Sequence, residues 1–260
     1  MTDAAALLRA FADQARSAEW TSRDPNATVD RDGPVFRVSW PHRRGFVAGP
    51  PDLGVTGREL DELIARQRDF FAARDQSAEW KTWGHDTPAD LPERLVAAGF
   101  HSEGRETVLI GLAEEMVAPV HLDGITLRET RDAADIERLV ASSSEAFGKD
   151  VSYLIPYLTD KKDDPDTVIV VAETGDRRVV SSARLEVVNG TEFGGLWGGG
   201  TVPEWRGRGI YRALVAHRAK VALTRGVKYL QVDATENSRP ILERLGFVAV
   251  TTTTGYALEP

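Results

Sequence analysis

The sequence predicts a mixed α/β fold with a mixed sheet, arranged as two halves. Short β-branched runs alternate with amphipathic helical segments through the second half, a pattern typical of folds that pack helices on a sheet. The first half repeats the order of the last elements in weaker form. Residues 113–123 interrupt the periodicity with two glutamates and a proline. We therefore predict an N-terminal domain over 1–117 and a second domain over 122–260.

The second half contains most of the recognisable elements. We expect Asp132 to cap a helix and Gly226 to end one, because both residue types favour those positions. The glycine-rich stretch 192–202 favours a distorted strand that something approaches closely, with a plain loop as the alternative. The predicted elements are strand 124–128, helix 132–147, helix 151–158, strand 167–173, strand 177–188, strand 192–202, helix 209–225, strand 228–233, helix 238–245 and strand 247–258.

The first half ends with the same order of elements as the second. Helix 58–74, strand 78–83, a short helix 91–98 closed by Gly-Phe, and strand 107–112 are the expected elements. This order predicts a degenerate duplication, the alternative being coincidence between two α/β halves. The corresponding turn, 49–57, has glycines but no arginine. Our hypothesis is that this half lacks cofactor binding and braces the second half or walls its acceptor site.

Residues 203–211 (PEWRGRGIY) form the most informative stretch, because two glycines and two arginines join a strand to a helix. Glycines allow a tight turn, and the first turn of a helix offers unpaired N–H groups with partial positive charge. The stretch therefore predicts an anion cradle completed by arginine side chains. It lacks the lysine of a P-loop and the third glycine of a dinucleotide-binding turn.

This stretch resembles the signature [QR]-x-x-G-x-[GA] of the GNAT superfamily of acyl-CoA-dependent N-acyltransferases. Arg206, Gly209 and Tyr211 take the three defined places, and tyrosine departs from the usual glycine or alanine. Residues 238–247 (SRPILERLGF) are similar to the late helix of that family, which ends in Gly-Phe. The resemblance covers 122–260 and implies a GNAT-like fold there, preceded by a degenerate GNAT-like domain.

The resemblance also implies a cosubstrate and a mechanism. Acetyl-CoA would donate its acyl group to an amine, on a small molecule or a peptide, by direct attack without a covalent enzyme intermediate. The strand near Thr201 would splay from the strand at 228–233, and the N–H of Val202 would stabilise the oxyanion. The residues implied in cofactor binding are Thr201, Val202, Arg206, Gly207, Arg208, Gly209, Ile210, Tyr211, Arg212 and Ser238.

The proton acceptor has three candidates in the sequence, each with a solvated surface carboxylate as the alternative. They are Glu186, Glu192 and Asp233. The tyrosine acid that family members often carry in the late helix is matched here by Leu242, so water is the expected proton donor to the thiolate. Trp197 either packs in the core or lines the acceptor pocket.

The composition of the chain argues against several kinds of partner. Acidic residues outnumber basic ones by 40 to 32, which disfavours nucleic acid as a partner. The sequence has no cysteine, and its five histidines lack metal-ligand spacing, so no metal site is expected. No stretch approaches the roughly 18 apolar residues of a membrane span, and no signal peptide is recognisable. We expect a cytoplasmic monomer or homodimer without a membrane partner.

Two other functions stay open at this point. A non-catalytic acyl-CoA sensor would bind its ligand through the cradle but would not catalyse acyl transfer. The missing tyrosine acid favours this alternative. A structural partner protein would have lost the ligand altogether.

Overall fold

The computed structural model describes residues 3–16, 26–41 and 43–260. By contacts between residues, the chain divides into two compact units. The first unit comprises Met1–Val108, Asp233–Arg239 and Ala249–Pro260, and the second comprises Leu109–Val232 and Pro240–Val248. This division differs from the predicted domains mainly near the C-terminus, where two segments belong to the first unit.

In its described residues, the first unit contains strands in the order β1-β2-β3-β4-β11 and three α-helices. The helix α2 and the strand β4 lie where the sequence predicts them. The strands β1 to β3, with a turn at Gly33, were not predicted, although the alternation of Val35, Phe36 and Val38 favours a strand. The elements are α1 (Ala4–Ala10, continued by a π-helical turn Phe11–Arg16), β1 (Thr28–Asp32), β2 (Val35–Trp40), β3 (Arg43–Ala48), α2 (Gly57–Ala72), β4 (Ala78–Trp83), α3 (Leu91–Ala97), the first part of β5 (His101–Leu112) and most of β11 (Val248–Leu258).

The core of the first unit lies under α2. The buried face of this helix carries Leu60, Leu63, Ile64 and Phe71, which recur at helical spacing and pack with Trp80 of β4. Each of these side chains contributes about 1.5–3 kcal/mol through its removal from water. β4 is held on both edges, by parallel pairing with β3 and by antiparallel pairing with β11 over six residues.

The second unit contains strands in the order β10-β9-β8-β7-β6. β6 to β9 pair antiparallel as successive neighbours, whereas β9 and β10 pair in parallel. This arrangement confirms the predicted mixed sheet. The elements are the end of β5, β6 (Ile125–Thr130), α4 (Ala133–Phe147), α5 (Leu154–Lys161), β7 (Thr167–Thr174), β8 (Val179–Val187), β9 (Phe193–Thr201), α6 (Ile210–Thr224), most of β10 (Tyr229–Ala234) and most of α7 (Arg239–Arg244).

Helix ends in the second unit follow the expected local chemistry. The carboxylate of Asp132 accepts a 2.9 Å hydrogen bond from the N–H of Ala134 and caps α4. Gly148 ends the same helix with φ +66°, and Gly226 follows α6 with φ +76°. Both values lie in the left-handed region that favours glycine. Among the described residues, no helix combines the length and apolar character that crossing a bilayer requires.

The duplicated order of elements is present in the structure, down to the hydrogen bonds that end two short helices. After α3, Gly99 has φ +98° and the N–H of Phe100 donates to Leu95 O at 3.0 Å. After α7, Gly246 has φ +101° and the N–H of Phe247 donates to Leu242 O at 3.1 Å. Both phenylalanines are buried. The same local design therefore occurs twice in the chain, which favours duplication over coincidence.

Candidate functional site

The turn before α6 presents a row of unpaired backbone N–H groups. Gly207 and Gly209 have φ +76° and +79°, and the first N–H of α6 to find a partner is that of Ala213, which donates to Gly209 O at 2.9 Å. Within the described parts of the chain, the six N–H groups of residues 207–212 have no hydrogen-bond acceptor. Orphan donors at a helix start, together with the helix dipole, form a site for an anion.

The arginines of this turn divide into two kinds. Arg206 does not extend from the turn as a free cation, because its Nε donates to Thr201 O at 3.0 Å and its Nη2 to Ala146 O at 2.8 Å. The guanidinium donates hydrogen bonds to main-chain carbonyls at the ends of β9 and α4. Arg206 therefore has a structural role, and the expectation that its side chain binds phosphate is corrected. Arg208, stacked 4.5 Å from the ring centroid of Trp205, and Arg212 are exposed. These two remain the cations available to an anion.

The glycine-rich stretch before this turn is a bulged strand, so the loop alternative was wrong. Arg184 of β8 pairs with Trp197, and Ser182 pairs with Gly200. One β8 residue therefore opposes two on β9, Gly198 and Gly199, and Gly198 has φ +63°.

The groups that approach the bulged strand closely are the protein's own aromatic rings. At Gly199, a Cβ atom would lie 2.7 Å from a ring carbon of Tyr211. At Gly200, it would lie 3.0 Å from the ring of Phe147. Any larger residue at Gly199 would have to displace the tyrosine ring. The glycines of β9 are thus required by packing within the unit.

β9 separates from β10 along part of its length, as the sequence predicts. The two strands pair at only three positions, Tyr229 with Phe193, Leu230 with Gly194 and Gln231 with Gly195. From Leu196 to Thr201, β9 has no paired residue on β10 within the described chain. One edge of β9 is therefore left without its parallel neighbour.

The N–H expected to stabilise the oxyanion is not available. The N–H of Val202 donates to Val180 O at 3.0 Å, which is a ladder bond to β8. Because successive N–H groups of a strand point to opposite edges, the N–H of Thr201 points to the edge that has lost β10. Thr201, rather than Val202, is therefore the residue whose N–H lies on the open edge.

Tyr211 extends from the cradle towards the bulge. Its ring packs on Gly199, so it leaves the six N–H groups of the turn uncapped. Burial raises the pKa of Tyr211 above its ordinary value, and the positive charge of Arg218 opposes this shift. The phenol therefore stays protonated at neutral pH.

The structure does not bring the three candidate carboxylates together. Glu186 lies on β8, where its Oε1 accepts from the hydroxyl of Tyr157 at 2.7 Å and from Nε of Arg184 at 2.5 Å. Glu192 is exposed where β9 begins, away from the bulge. Asp233 belongs to the first unit; its side chain is 2% exposed and pairs with Nζ of Lys81 at 2.5 Å. This pairing argues against Asp233 as a proton acceptor.

The ion pair of Lys81 and Asp233 is a structural feature of the first unit. Burial opposes the charge of Lys81, but the attraction and hydrogen bond of Asp233 outweigh it and raise the pKa of this lysine. A lysine held in this way keeps its proton over the whole physiological range. The pair therefore persists at neutral pH and keeps the aspartate occupied.

One face of β8 and β9 gathers polar and aromatic side chains that sequence reasoning missed. Arg184 and Trp197 are directly paired and so share this face, and the guanidinium of Arg184 lies 5.3 Å from the ring centroid of Tyr157 on α5. The indole of Trp197 covers Gly195. Alternation along β8 places Arg184 and Glu186 on one side, and this was the available signal. Trp197 is half-buried on this face.

The late helix has no tyrosine at the position where the family often carries an acid. Leu242 of α7 is fully buried. The hydroxyl of Ser238, an expected cofactor contact, donates to Thr235 O at 3.2 Å and lies in the first unit. Within the described residues, no cluster of three or more histidine, aspartate or glutamate side chains could hold a metal ion.

Fold and site together define a class of protein: an α/β domain in which a strand separates from its neighbour and leads into a helix start with unpaired N–H groups. Residues 134–247 match the family model of the acetyltransferase (GNAT) family. By this match the segment, rather than the whole chain, is assigned to the GNAT superfamily, whose members are acyltransferases. Among curated proteins, none matches the sequence at a significant level.

Solved structures share the fold over nearly the whole chain. A GCN5-related N-acetyltransferase from Kribbella flavida has a TM-score of 0.65 at 18% identity, covering 98% of this chain and 93% of its own. One from Sphaerobacter thermophilus has a TM-score of 0.63 at 17% identity, covering 99% and 86%. A tandem GNAT protein from the clavulanic acid biosynthesis pathway has a TM-score of 0.61 at 14% identity, covering 97% and 94%. At these identities the similarity shows the fold, including its tandem arrangement.

Proposed function

We propose that the chain is an N-acetyltransferase that transfers the acetyl group of acetyl-CoA to an amine of a small molecule or peptide. The observation that carries this proposal is that the unpaired edge of β9 leads, within a few residues of the chain, to the six unpaired N–H groups of residues 207–212. A pyrophosphate would bind the N–H groups, with Arg208 and Arg212 supplying further positive charge. The pantetheine arm would then follow the open edge of the strand.

The reaction needs an oxyanion donor and a route for one proton. When the amine nitrogen attacks the thioester, a C–N bond forms and the carbonyl oxygen gains negative charge, which the N–H of Thr201 would stabilise. The C–S bond then breaks and leaves a thiolate. The ammonium proton passes to a base, and the thiolate takes a proton from water. Atoms and charge balance without a cofactor beyond the acyl donor.

Glu186 is the carboxylate best placed to receive the proton. It lies on the same face of the sheet as Trp197, whereas Asp233 is taken by Lys81 and Glu192 lies at the far end of β9. Since Oε1 of Glu186 already accepts two hydrogen bonds, the proton would go to the other oxygen, directly or through water. Arg184 and Tyr157 would hold this carboxylate in place.

The wider setting follows the composition. The net charge of −8 disfavours nucleic acid and favours cationic acceptors, and we expect a cytoplasmic protein that binds no membrane, acting as a monomer or homodimer.

Thiol release from acetyl-CoA with a panel of amines, alcohols and peptides tests the proposal. Turnover with at least one amine is the expected result. If coenzyme A raised the melting temperature but no acceptor gave turnover, the chain would be an acyl-CoA sensor. If coenzyme A did not bind, it would be a structural partner protein.

Glu186→Gln tests the assignment of the base. The amide keeps the size and the hydrogen-bond acceptor but cannot take the proton, so kcat should fall about 100-fold with acetyl-CoA affinity unchanged. Glu145→Gln is the matched control, because Glu145 is an exposed carboxylate that also pairs with an arginine, Arg178. Equal kcat for wild type and Glu186→Gln would assign the proton transfer to water or to Glu192.

A further inference from the structure

We propose that Arg218 is a positioning residue that holds the bulge of β9 in the shape that acyl transfer requires. This inference rests on the proposed function, and it concerns a residue on the helix that follows the cradle. It assigns Arg218 no direct contact with the substrates.

Among the residues that the structure describes, Arg218 is a buried cation without a carboxylate partner. Its side chain lies on α6 and the residue is 1% exposed. Nε donates to Leu214 O on the same helix, and Nη1 donates to Arg184 O on β8, both at 3.0 Å. In the described chain no acidic group lies within ion-pair distance of it. Burial lowers the pKa of Arg218 to about 10, the nearby Tyr211 raises it and the Arg184 cation lowers it further, so the guanidinium remains charged at neutral pH.

Stability alone does not account for such a group. Taking a charge out of water is costly, and buried ions can often be replaced by apolar side chains of similar volume without loss of stability. The neighbours of Arg218 on α6 are apolar: Leu214, Val215 and Ala219 are all buried. A methionine or leucine would suit this surrounding better if packing were the only requirement.

The position of its acceptor explains what the guanidinium does. Arg184 is the β8 residue next to the bulge, where the ladder between β8 and β9 shifts register. In a regular ladder, the main-chain carbonyls of a strand accept hydrogen bonds from the neighbouring strands. A side chain of a covering helix is then not needed as a donor. At the bulge the carbonyl of Arg184 accepts from Arg218. The guanidinium thus supplies a donor from outside the sheet where the regular pairing is interrupted.

Two side chains on one face of α6 therefore contact the bulged region of β8 and β9. Tyr211 and Arg218 are seven residues apart, which places them about two turns apart on the same face. Tyr211 packs on Gly199, and Arg218 bonds to Arg184, which is paired with Trp197. α6 also begins with the cradle. Its two contacts fix the distance between the anion site and the open edge at Thr201, on which alignment of the thioester depends.

The test compares three variants with wild type. Arg218→Met removes the donors and the charge but keeps the volume. Arg218→Lys keeps the charge but not the fork that reaches two carbonyls. Arg225→Met is the matched control, because Arg225 follows the same helix and its Nη1 also donates to a main-chain oxygen, that of Pro165, at 2.5 Å, away from the bulge.

Four quantities are measured: melting temperature, coenzyme A affinity by calorimetry, kcat for thiol release, and amide hydrogen exchange over residues 197–202. For Arg218→Met we expect an unchanged or higher melting temperature and an affinity within about threefold of wild type. Because small misplacements of reacting groups cost up to about 100-fold in rate, we expect kcat to fall roughly tenfold to 100-fold. Exchange should be faster over 197–202. Arg218→Lys should behave similarly, and Arg225→Met like wild type.

The outcomes separate the two proposals. Wild-type kcat and unchanged exchange in Arg218→Met would overturn the positioning role. A fall in melting temperature that accounts for the loss of activity would also overturn it and leave a purely structural arginine. If wild type itself showed no turnover while exchange in Arg218→Met still increased, the proposed enzymatic function would fail but the control of the bulge by Arg218 would stand.

Discussion

The turns that precede α6 and α2 occupy corresponding places in the two units, yet they differ in the charges, and in some of the N–H groups, that they offer to an anion. Before α6, the N–H groups of 207–212 have no acceptor in the described chain, and Arg208 and Arg212 lie close by. Before α2, the N–H of Leu53 donates to Thr87 O at 3.0 Å, and the N–H of Gly54 donates to the carboxylate of Asp52 at 2.9 Å.

This difference shows what a glycine-rich turn must retain in order to bind a ligand. Glycines alone do not make a site, because the turn before α2 has them as well, with Gly54 and Gly57 at φ +65° and +54°. In this loop the N–H groups of Leu53 and Gly54 already have acceptors within the protein. The carboxylate of Asp52 also lies where a phosphate would need a cation. The helix, strand, short helix and Gly-Phe order is kept in both units. The contrast supports the proposal that only the second copy of this order binds an anion.

The largest effect is expected from Gly209→Val. Valine is strained at φ +79°, and its Cβ would lie 3.3 Å from Val120, so the turn has to rearrange and the N–H groups lose their common direction. We expect coenzyme A affinity, measured by calorimetry, to fall more than about 100-fold. Gly54→Val carries a similar strain at φ +65° in the other turn. Gly54→Val should leave coenzyme A affinity unchanged. An equal loss of affinity in both variants would show that the two turns do not differ in ligand binding.

A smaller effect should follow from removing one N–H group. Ile210 is the first residue of α6, a position where proline is tolerated, so Ile210→Pro deletes a donor without breaking the helix. A hydrogen bond to a charged group contributes about 1.5–3 kcal/mol, which predicts a roughly tenfold to 100-fold weaker affinity. Ile210→Ala loses the same buried side chain but keeps the N–H. Identical affinities for the two variants would show that this donor does not bind the ligand.

The smallest effect is expected from the exposed arginines. Arg212→Gln should weaken coenzyme A binding by about two- to fivefold and reduce its dependence on salt, because exposed charge pairs contribute less than about 1 kcal/mol. Arg58→Gln is the control at the start of α2, where Arg58 pairs with Glu62 at 2.7 Å. Binding titrations at two salt concentrations measure both. An unchanged salt dependence in Arg212→Gln would remove this arginine from the site.

Much of the second unit could be predicted from the sequence because its signals are local. Glycine with positive φ, an aspartate cap and β-branched runs report on their own neighbourhood, and they located α4, β7 and the turn before α6 correctly. The separation of β9 from β10 was predicted only through the family resemblance.

What could not be predicted depends on long-range partners. The side chain of Arg206 turns towards Ala146, sixty residues earlier, and Asp233 meets Lys81 from 152 residues away. The sequence around Arg206 and around Asp233 contains no signal that indicates these distant partners. The same holds for Val202, whose N–H is taken by a strand two elements earlier. The strands β1 and β3 were missed because charged residues such as Arg31 and Arg43 interrupt their apolar pattern, whereas the alternation in β2 was a usable signal.

The pairing of β11 with β4 has a consequence for how the gene could be divided. Thr253–Leu258 cover one edge of β4 through six residue pairs, although more than 160 residues separate the two strands along the chain. A fragment that stopped in 113–123 would expose that edge as a free template for another chain. Half-length fragments should therefore aggregate when expressed alone, and shuffling of such halves between relatives would succeed only if the last strand travelled with the first half.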